Sequence, residues 1–218
     1  MTDFRKILIL DCAMNGCVTA VYADGVCHTE RFETSRGQAE KLIPMVQDAL
    51  RAAGCGFDDL DAVIVTLGPG AFTGIRIGIS AAKTLAMVLG VPLFGISVLQ
   101  ALALDYNSVC NVILETKRSD FYFQGFSEGA NPLGVACCVM LDDVAPEGIF
   151  IGDAAQRLAR DVNVQVQAGY EAIQPDVIAA AFLDEARRAA FFTQDIAPIY
   201  LRAPDVSAPK NKPRQVAQ

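Results

Sequence analysis

The sequence predicts an α/β chain of two related lobes, each ordered βββαβα and the second reduced, and three observations predict it. An unbroken apolar run over 7–10 stops at Asp11, as a central strand covered on both faces does. The pairs Asn15-Gly16 and Asp24-Gly25 tolerate positive φ at both turn positions, so they mark two hairpins and a three-strand meander over 7–32. An amphipathic stripe, a short β-branched run and a strongly apolar helix then follow in that order.

Taken in turn, the meander strands are expected over 7–10, 17–22 and 26–32. A first helix over 38–53 aligns Leu42, Val46, Ala49 and Ala53 on one stripe, which Ile43, Met45 and Leu50 widen. Pro44 belongs in its first turn or kinks it, and Gly54 closes it as a C-cap. A strand over 62–67 carries Val63, Ile64, Val65 and Thr66, and a second helix begins near Thr73. The order βββαβα is the half-module of the ribonuclease H-like, actin-like fold. A fainter copy follows: strands over 112–115, 121–126 and 135–141, a strand over 148–151, a helix over 153–160 and a closing helix over 176–191. Glu115 falls where Asp11 fell in the first copy. The expected organisation is an N-terminal lobe over 1–104, a C-terminal lobe over 105–202 and a mobile, basic, proline-containing tail over 203–218.

Composition narrows the function. The 218 residues are 52% hydrophobic and 20% charged, which excludes general disorder. No secretory leader is expected, because residues 1–6 are polar and the run after them is too short for a signal core. The apolar stretch 85–104 contains Gly90, Pro92, Gly95, Ser97 and Gln100, so it reads as a helix end, a short strand and another helix, not a membrane span. A soluble, cytoplasmic protein is expected. Seven scattered cysteines without a C-x-x-C pair suit small hydrophobes in a reducing compartment. The single histidine, His28, leaves no means of building a histidine-based metal site, and a nucleophile such as Ser80 or Cys12 would have His28 alone as its base, so a peptidase has no physical support. His28 itself reads as a half-exposed strand residue. The tail carries +2 of a net −7, so the remaining chain stands at −9, ill suited to holding phosphate backbones by itself.

The most informative segment is Gly68-Pro69-Gly70-Ala71-Phe72-Thr73-Gly74-Ile75-Arg76-Ile77-Gly78, which joins a strand to a helix. Its glycine spacing and Pro69 exclude a dinucleotide fingerprint, and the lack of a Gly-Lys pair excludes a Walker A loop. A tight turn that delivers backbone N–H groups to a helix start, with Thr73 as N-cap, remains. Arg76 in the first turn opposes the helix dipole unless it meets an anion or a carboxylate, and Asp58, Asp59 and Asp61 are candidates. The turn reads as structural. Beyond it, Arg76 and Lys83 are the only long polar side chains up to Leu89, the pattern of a helix covered all round. Gly78 costs about 0.5–1 kcal/mol in a helix interior, which close approach of another helix would justify. The uncovered side is met either by a partner subunit or by the closing helix of the same chain.

Residues 68–83 resemble the G-P-G-S-F-T-G-x-R-x-G block of the TsaB (YeaZ-like) family, with Ala71 in place of serine. Residues 89–103 are similar to the strand and helix that follow it there, and Ile196-Ala-Pro-Ile-Tyr-Leu-Arg202 to the closing P-x-Y-L-R. The resemblance implies a non-catalytic, actin-like subunit without metal or cofactor of its own, ATP and Mg being used by its partners. It implies pairing with a TsaD-like catalytic subunit, joined by a TsaE-like ATPase, for threonylcarbamoyl transfer to the adenosine next to the anticodon of tRNA. It also implies homodimers through the same helical face, indirect tRNA contact and no membrane. Carried onto this sequence, that face is Leu42, Met45, Val46 and Ala49 with Ile77, Ala81, Leu85 and Val88. Asp11, Asn15 and Gly16 would be a vestigial phosphate hairpin, since the strand continues as Cys12-Ala13-Met14, where the family has D-T or D-S and small polar residues, and Gln38 replaces a common histidine.

The competing reading is an actin-like ATPase or kinase in which Asp11 and Asn15-Gly16 cup Mg²⁺ and phosphates. It needs a glycine-rich adenosine site in the second lobe, where Ile151-Gly152-Asp153-Ala154 offers one glycine; otherwise Asp11 caps local N–H groups. Lys210, Lys212 and Arg214 of the tail make either a weak tRNA contact or a solvated terminus.

Overall fold

The computed structural model describes residues 4–33 and 36–202, so the expected basic tail lies outside the described residues. Strand β1 (Lys6–Asp11) is buried along nearly its whole length, as its unbroken apolar run requires. It pairs antiparallel with β2 (Cys17–Ala23), which pairs with β3 (Val26–Phe32). The hairpin between β2 and β3 turns on two residues, Asp24 at φ 49° and Gly25 at φ 88°, as that pair predicts. The first hairpin differs. Its register pairs Asp11 with Val18, so a wider loop over 12–16 replaces the tight Asn15-Gly16 turn that the sequence suggests. The Gly16 carbonyl in that loop is held by the buried Gln38 side-chain amide at 2.7 Å, which gives the expected-histidine position a structural task.

Helix α1 (Gln38–Ala52) follows, with Pro44 inside it rather than in its first turn. Pro44 leaves the Glu40 carbonyl without its helical donor, which costs little on an exposed side where water reaches it. At the other end Gly54 donates to the Arg51 carbonyl and Cys55 to that of Leu50, the Schellman arrangement that a C-terminal glycine permits. Strands β4 (Ala62–Thr66) and β5 (Leu93–Ile96) add in parallel on the other side of β1 and complete a sheet of order β3-β2-β1-β4-β5. Helix α2 (Phe72–Leu89) joins β4 to β5, and α3 (Val98–Tyr106) leads away, capped by the Ser97 hydroxyl. The stretch 85–104 is thus a helix end, a strand and a helix, as expected.

The second sheet repeats the first. Strands β6 (Cys110–Glu115) and β7 (Asp120–Ser127) form a hairpin, and the third meander strand is split into β8 (Asn131–Pro132) and β9 (Cys137–Met140), both against β7. Strand β10 (Ile149–Ile151) lies parallel to β6, helix α4 (Ala155–Asp161) follows, and β11 (Gln165–Val166) closes the order. The lobe is reduced because no counterpart of α1 stands between β9 and β10. Two sheets with one antiparallel-then-parallel order make this the ribonuclease H-like, actin-like fold.

The closing helix is two helices, α5 (Pro175–Leu183) and α6 (Glu185–Phe191), because Asp184 leaves the helical region and caps α6 through the Arg187 N–H. α5 packs on β1, β2 and β3, and α1 covers β2 and β3, so the two helices lie on opposite faces of the first sheet. Phe182 of α5 meets Phe4 and Phe94 at ring separations of 4.9 and 4.7 Å on that face. The closing helix is therefore not what lies over α2.

Nor does another helix explain Gly78. A β-carbon there would stand 3.5 Å from the Cys12 β-carbon, an ordinary contact, whereas one on Gly74 would stand 1.8 Å from the Cys12 carbonyl oxygen. The close approach is to the end of β1, at Gly74. Gly74→Ala is expected to cost about 2–4 kcal/mol in urea unfolding, since backbone must move, whereas Gly78→Ala is expected to be neutral or stabilising by up to about 1 kcal/mol. Equal losses in both variants would contradict the geometry.

Candidate functional site

Repetition of the fold brings the ends of β1 and β6 to a common cleft. Asp11 ends β1 and is 2% exposed; its Oδ1 accepts from the Ala13 N–H at 3.0 Å and the Thr66 hydroxyl at 2.5 Å. Burial pushes this carboxyl up, and the bonds from Thr66 and Ala13 act against burial. Glu115 ends β6, and its carboxylate pairs with Arg157, whose guanidinium lies 4.2 Å above the Phe121 ring and donates to the Arg118 carbonyl at 2.7 Å. Asp153, just past β10, accepts from the Glu115 N–H at 2.9 Å. Both strand-end carboxylates thus serve local donors.

The cleft holds two cavities. One, of about 230 Å³, is walled by Asp11, Asn15, Cys17, Arg31, Asp153 and Glu171; the other, of about 90 Å³, by Asn15, Gly70, Glu115, Lys117, Tyr122 and Asp153. Carboxylates outnumber cations in these walls, and Arg31 spends its guanidinium on the Ile173 carbonyl and the Gln174 side chain, each at 3.0 Å. Such a lining repels phosphates more than it holds them. Among the described residues no three His, Cys, Asp or Glu side chains converge as metal ligands.

The glycine-rich loop spends its own polar groups inward. The Ala71 N–H donates to the Ala13 carbonyl at 2.7 Å, the Val98 N–H to Gly68 at 2.8 Å and the Ile199 N–H to Leu67 at 2.7 Å. Gly70 stands where a β-carbon would lie 2.1 Å from the Ala13 oxygen. Pro69 follows a cis peptide bond. Thr73 is not the N-cap: α2 starts at Phe72 with Ala71 before it and no side-chain cap. Arg76 meets none of Asp58, Asp59 and Asp61. Asp59 pairs with Lys6, and Asp61 accepts from the Arg5 and Lys6 N–H groups. Arg76 instead stacks 3.7 Å over Phe72 and donates to the Tyr200 hydroxyl at 3.0 Å.

Tyr200 belongs to a C-terminal strap that sequence reading left without a role. The strap bonds Leu67 through Ile199, lays Tyr200 on Phe72 at 4.9 Å, and reaches the second sheet where Arg202 meets Asp120 at 3.1 Å. The P-x-Y-L-R pattern was the visible signal, but its partners lie more than a hundred residues upstream for Tyr200 and 82 for Arg202.

The second candidate is the outward side of α2. Ile77, Ala81 and Leu85 are half-buried and Val88 is 73% exposed, with Met87 at 77% beside it and Ile43 of α1 at 39%. Arg76 and Lys83 are the charges on this helix. The α1 half of the expected face is different: Leu42, Met45, Val46 and Ala49 are all buried at 8% or less in the chain's own core. This corrects the sequence-based face. The amphipathic stripe of α1 points at β2 and β3, as a stripe beside a sheet must, and α1 can offer a neighbour only its opposite side. α2 has the length and hydropathy of a membrane span but is seated over β4 and β1, which accounts for its buried side.

Comparison with known proteins agrees with this architecture. Residues 32–188 match the family model of TsaD, tRNA N6-adenosine threonylcarbamoyltransferase. The tRNA threonylcarbamoyladenosine biosynthesis protein TsaB of Escherichia coli (strain K12) is 37% identical over 98 residues, 45% of this chain and 42% of that protein, so the match spans less than half of that relative. An uncharacterised protein of Mycobacterium tuberculosis is 29% identical over 171 residues, 78% of each chain. The solved YeaZ from Pseudomonas aeruginosa superposes with a TM-score of 0.76 over 90% of this chain and 100% of its own, at 23% identity, which shows a shared fold.

Asp153 offers a test of the cleft's electrostatics. Burial, with the Glu115 charge added, lifts its carboxyl from 3.8 to about 6 against the bond from the Glu115 N–H. The folded chain then binds this proton more tightly than the unfolded one, so stability is fully present below 3.8 and falls as pH rises to about 6. Asp153→Asn keeps an oxygen for the Glu115 N–H and removes the titration. The variant is expected to gain about 1–2 kcal/mol over the parent at neutral pH and nothing at the acid end, in urea unfolding across that range.

Proposed function

Because this chain belongs to the TsaD family, in its TsaB (YeaZ-like) branch, we propose that it is the non-catalytic subunit of a tRNA threonylcarbamoyladenosine-forming assembly. In this reading it works in the cytoplasm and pairs with a TsaD-like catalytic subunit, which a TsaE-like ATPase joins. It also pairs with itself through the same surface. It needs no metal or nucleotide of its own, ATP and Mg²⁺ being used by the partners. Its tRNA contact is indirect, in keeping with a charge of −9 over residues 1–202.

One observation carries the proposal: the outward side of α2 is an apolar strip in which Ile77, Ala81 and Leu85 are half-buried and Met87 and Val88 are 77% and 73% exposed. Exposed apolar surface on a structured helix favours a protein partner, and the half-buried small Ala81 at its middle lets a second helix come close. The cleft supports the same reading from the other direction. Asp11 and Glu115, the carboxylates that phosphate chemistry would use, are engaged with Thr66, Ala13 and Arg157.

Ala81→Arg puts a charge into the strip at a half-buried position on the rim of the core, where the long side chain can reach solvent, so the monomer is expected to fold with a loss of no more than about 1 kcal/mol. Co-purification with a TsaD-like protein should fall at least tenfold, about 1.4 kcal/mol, and threonylcarbamoylation by the assembly should fall with it. Undiminished pairing would place the interface elsewhere. Titration of the isolated chain with MgATP in a calorimeter is expected to give no heat of binding; tight binding or turnover would instead establish an actin-like ATPase.

A further inference from the structure

The loop between β1 and β2 holds a feature that subunit pairing does not use. Cys12 follows β1 and Cys17 opens β2, and continuing the register by one step beyond Asp11–Val18 sets them directly opposite each other. Their sulfurs are 3.2 Å apart, and both residues are 1% exposed. Directly opposed residues on antiparallel strands have α-carbons about 4.5–5.5 Å apart, inside the span that a disulfide bridges. Among the chain's seven free cysteines these two are in sulfur-to-sulfur contact, whereas Cys27 accepts from Thr29 and Cys138 donates to the Leu201 carbonyl. Cys17 also borders the 230 Å³ cavity, while its sulfur turns toward Cys12 and the Gln38 carbonyl, 3.9 Å away.

We propose that Cys12 and Cys17 are an oxidisable dithiol, a modification site that closes into an intramolecular disulfide when a small hydroperoxide enters the cleft. Cys17 attacks as the thiolate. The oxygen–oxygen bond breaks, the alkoxide leaves and takes up the proton that Cys17 gave, and Cys17 carries a sulfenic acid. Cys12 then loses its proton and attacks that sulfur, and the sulfur–oxygen bond breaks with departure of water. Two thiols and one hydroperoxide become one disulfide, one alcohol and one water; the sulfurs lose two electrons and the peroxide gains them. Cys17 is the first nucleophile because it borders the cavity and because the hydrogen bond from Cys12 lowers its thiol. The same bond and burial push Cys12 up, which suits it to the second, resolving step. Closing the bond draws the sulfurs together by only about 1.2 Å, to about 2.05 Å. The site sits at the seat of α2, since the Cys12 carbonyl faces Gly74 and its side chain faces Gly78.

The test treats the reduced full-length chain with one equivalent of hydrogen peroxide, alkylates the remaining thiols and digests with trypsin. Lys6 and Arg31 bound a peptide that contains Cys12, Cys17 and Cys27. The expected product is that peptide lighter by two hydrogens, alkylated at Cys27 alone, giving no fragment ions from between Cys12 and Cys17 until dithiothreitol is added. Cys17→Ser should abolish the mass loss, and the unsubstituted chain keeps the result decisive if that variant folds poorly. Sulfinic acid at Cys17 with Cys12 still reduced, or earlier formation of any other cysteine pair, would overturn the proposal, as would a peptide that stays unoxidised.

Discussion

The arrangement of this protein depends on one close contact, between the backbone of Cys12 and Ala13 at the end of β1 and the loop that starts α2. Ala71 donates to Ala13 at 2.7 Å, and Gly70 and Gly74 stand where any β-carbon would collide with carbonyl oxygens. Two glycines therefore let a helix start directly against a strand end. That seat aims α2 along the sheet, orders the loop to which Val98 and Ile199 are bonded, and closes one wall of the cleft. A side chain at Gly74 would lift all of these together. This is the physical content of a glycine-rich motif that otherwise resembles a phosphate loop: its backbone groups face the protein.

The two lobes share a strand order but spend their carboxylates differently. In the first, Asp11 is buried beside uncharged donors and its carboxyl is raised. In the second, Glu115 is neutralised by Arg157, and the raised group is Asp153, which holds the Glu115 N–H. Duplicated topology thus brings acids to corresponding places, and neighbours decide what each acid does. The strap from Ile196 onward joins the halves, with Ile199 on the first sheet and Arg202 on Asp120 of the second. Without it the halves would lose a crossing made by chain ends far apart in sequence.

Both the α2 strip and the dithiol lie on this seat, one on each side. The strip is the outer side of the helix whose inner side rests on Cys12, and Cys12 faces Cys17 across the loop. In a close-packed interior a movement of a few tenths of an ångström is transmitted rather than absorbed. Loop, helix and cleft are therefore packed as one unit.

The sequence by itself determined the fold. Runs such as Ile7–Leu10, the Asp24-Gly25 turn, the stripe of α1 and Gly54 at its end act over a few residues, and each appears where local chemistry places it. It also determined that the 68–78 loop is neither a Walker nor a dinucleotide site, because glycine spacing is a local property. Only the tertiary structure decided the rest. That Leu42, Met45, Val46 and Ala49 face their own sheet, that Arg76 lies on Phe72 and Tyr200 rather than on an aspartate, and that Gly74 rather than Gly78 meets the close contact all turn on chain segments distant in sequence. The wider 12–16 loop belongs here too, since register answers to the whole sheet and not to one Asn-Gly pair. Periodicity says that a helix has an apolar face; packing alone says what that face meets.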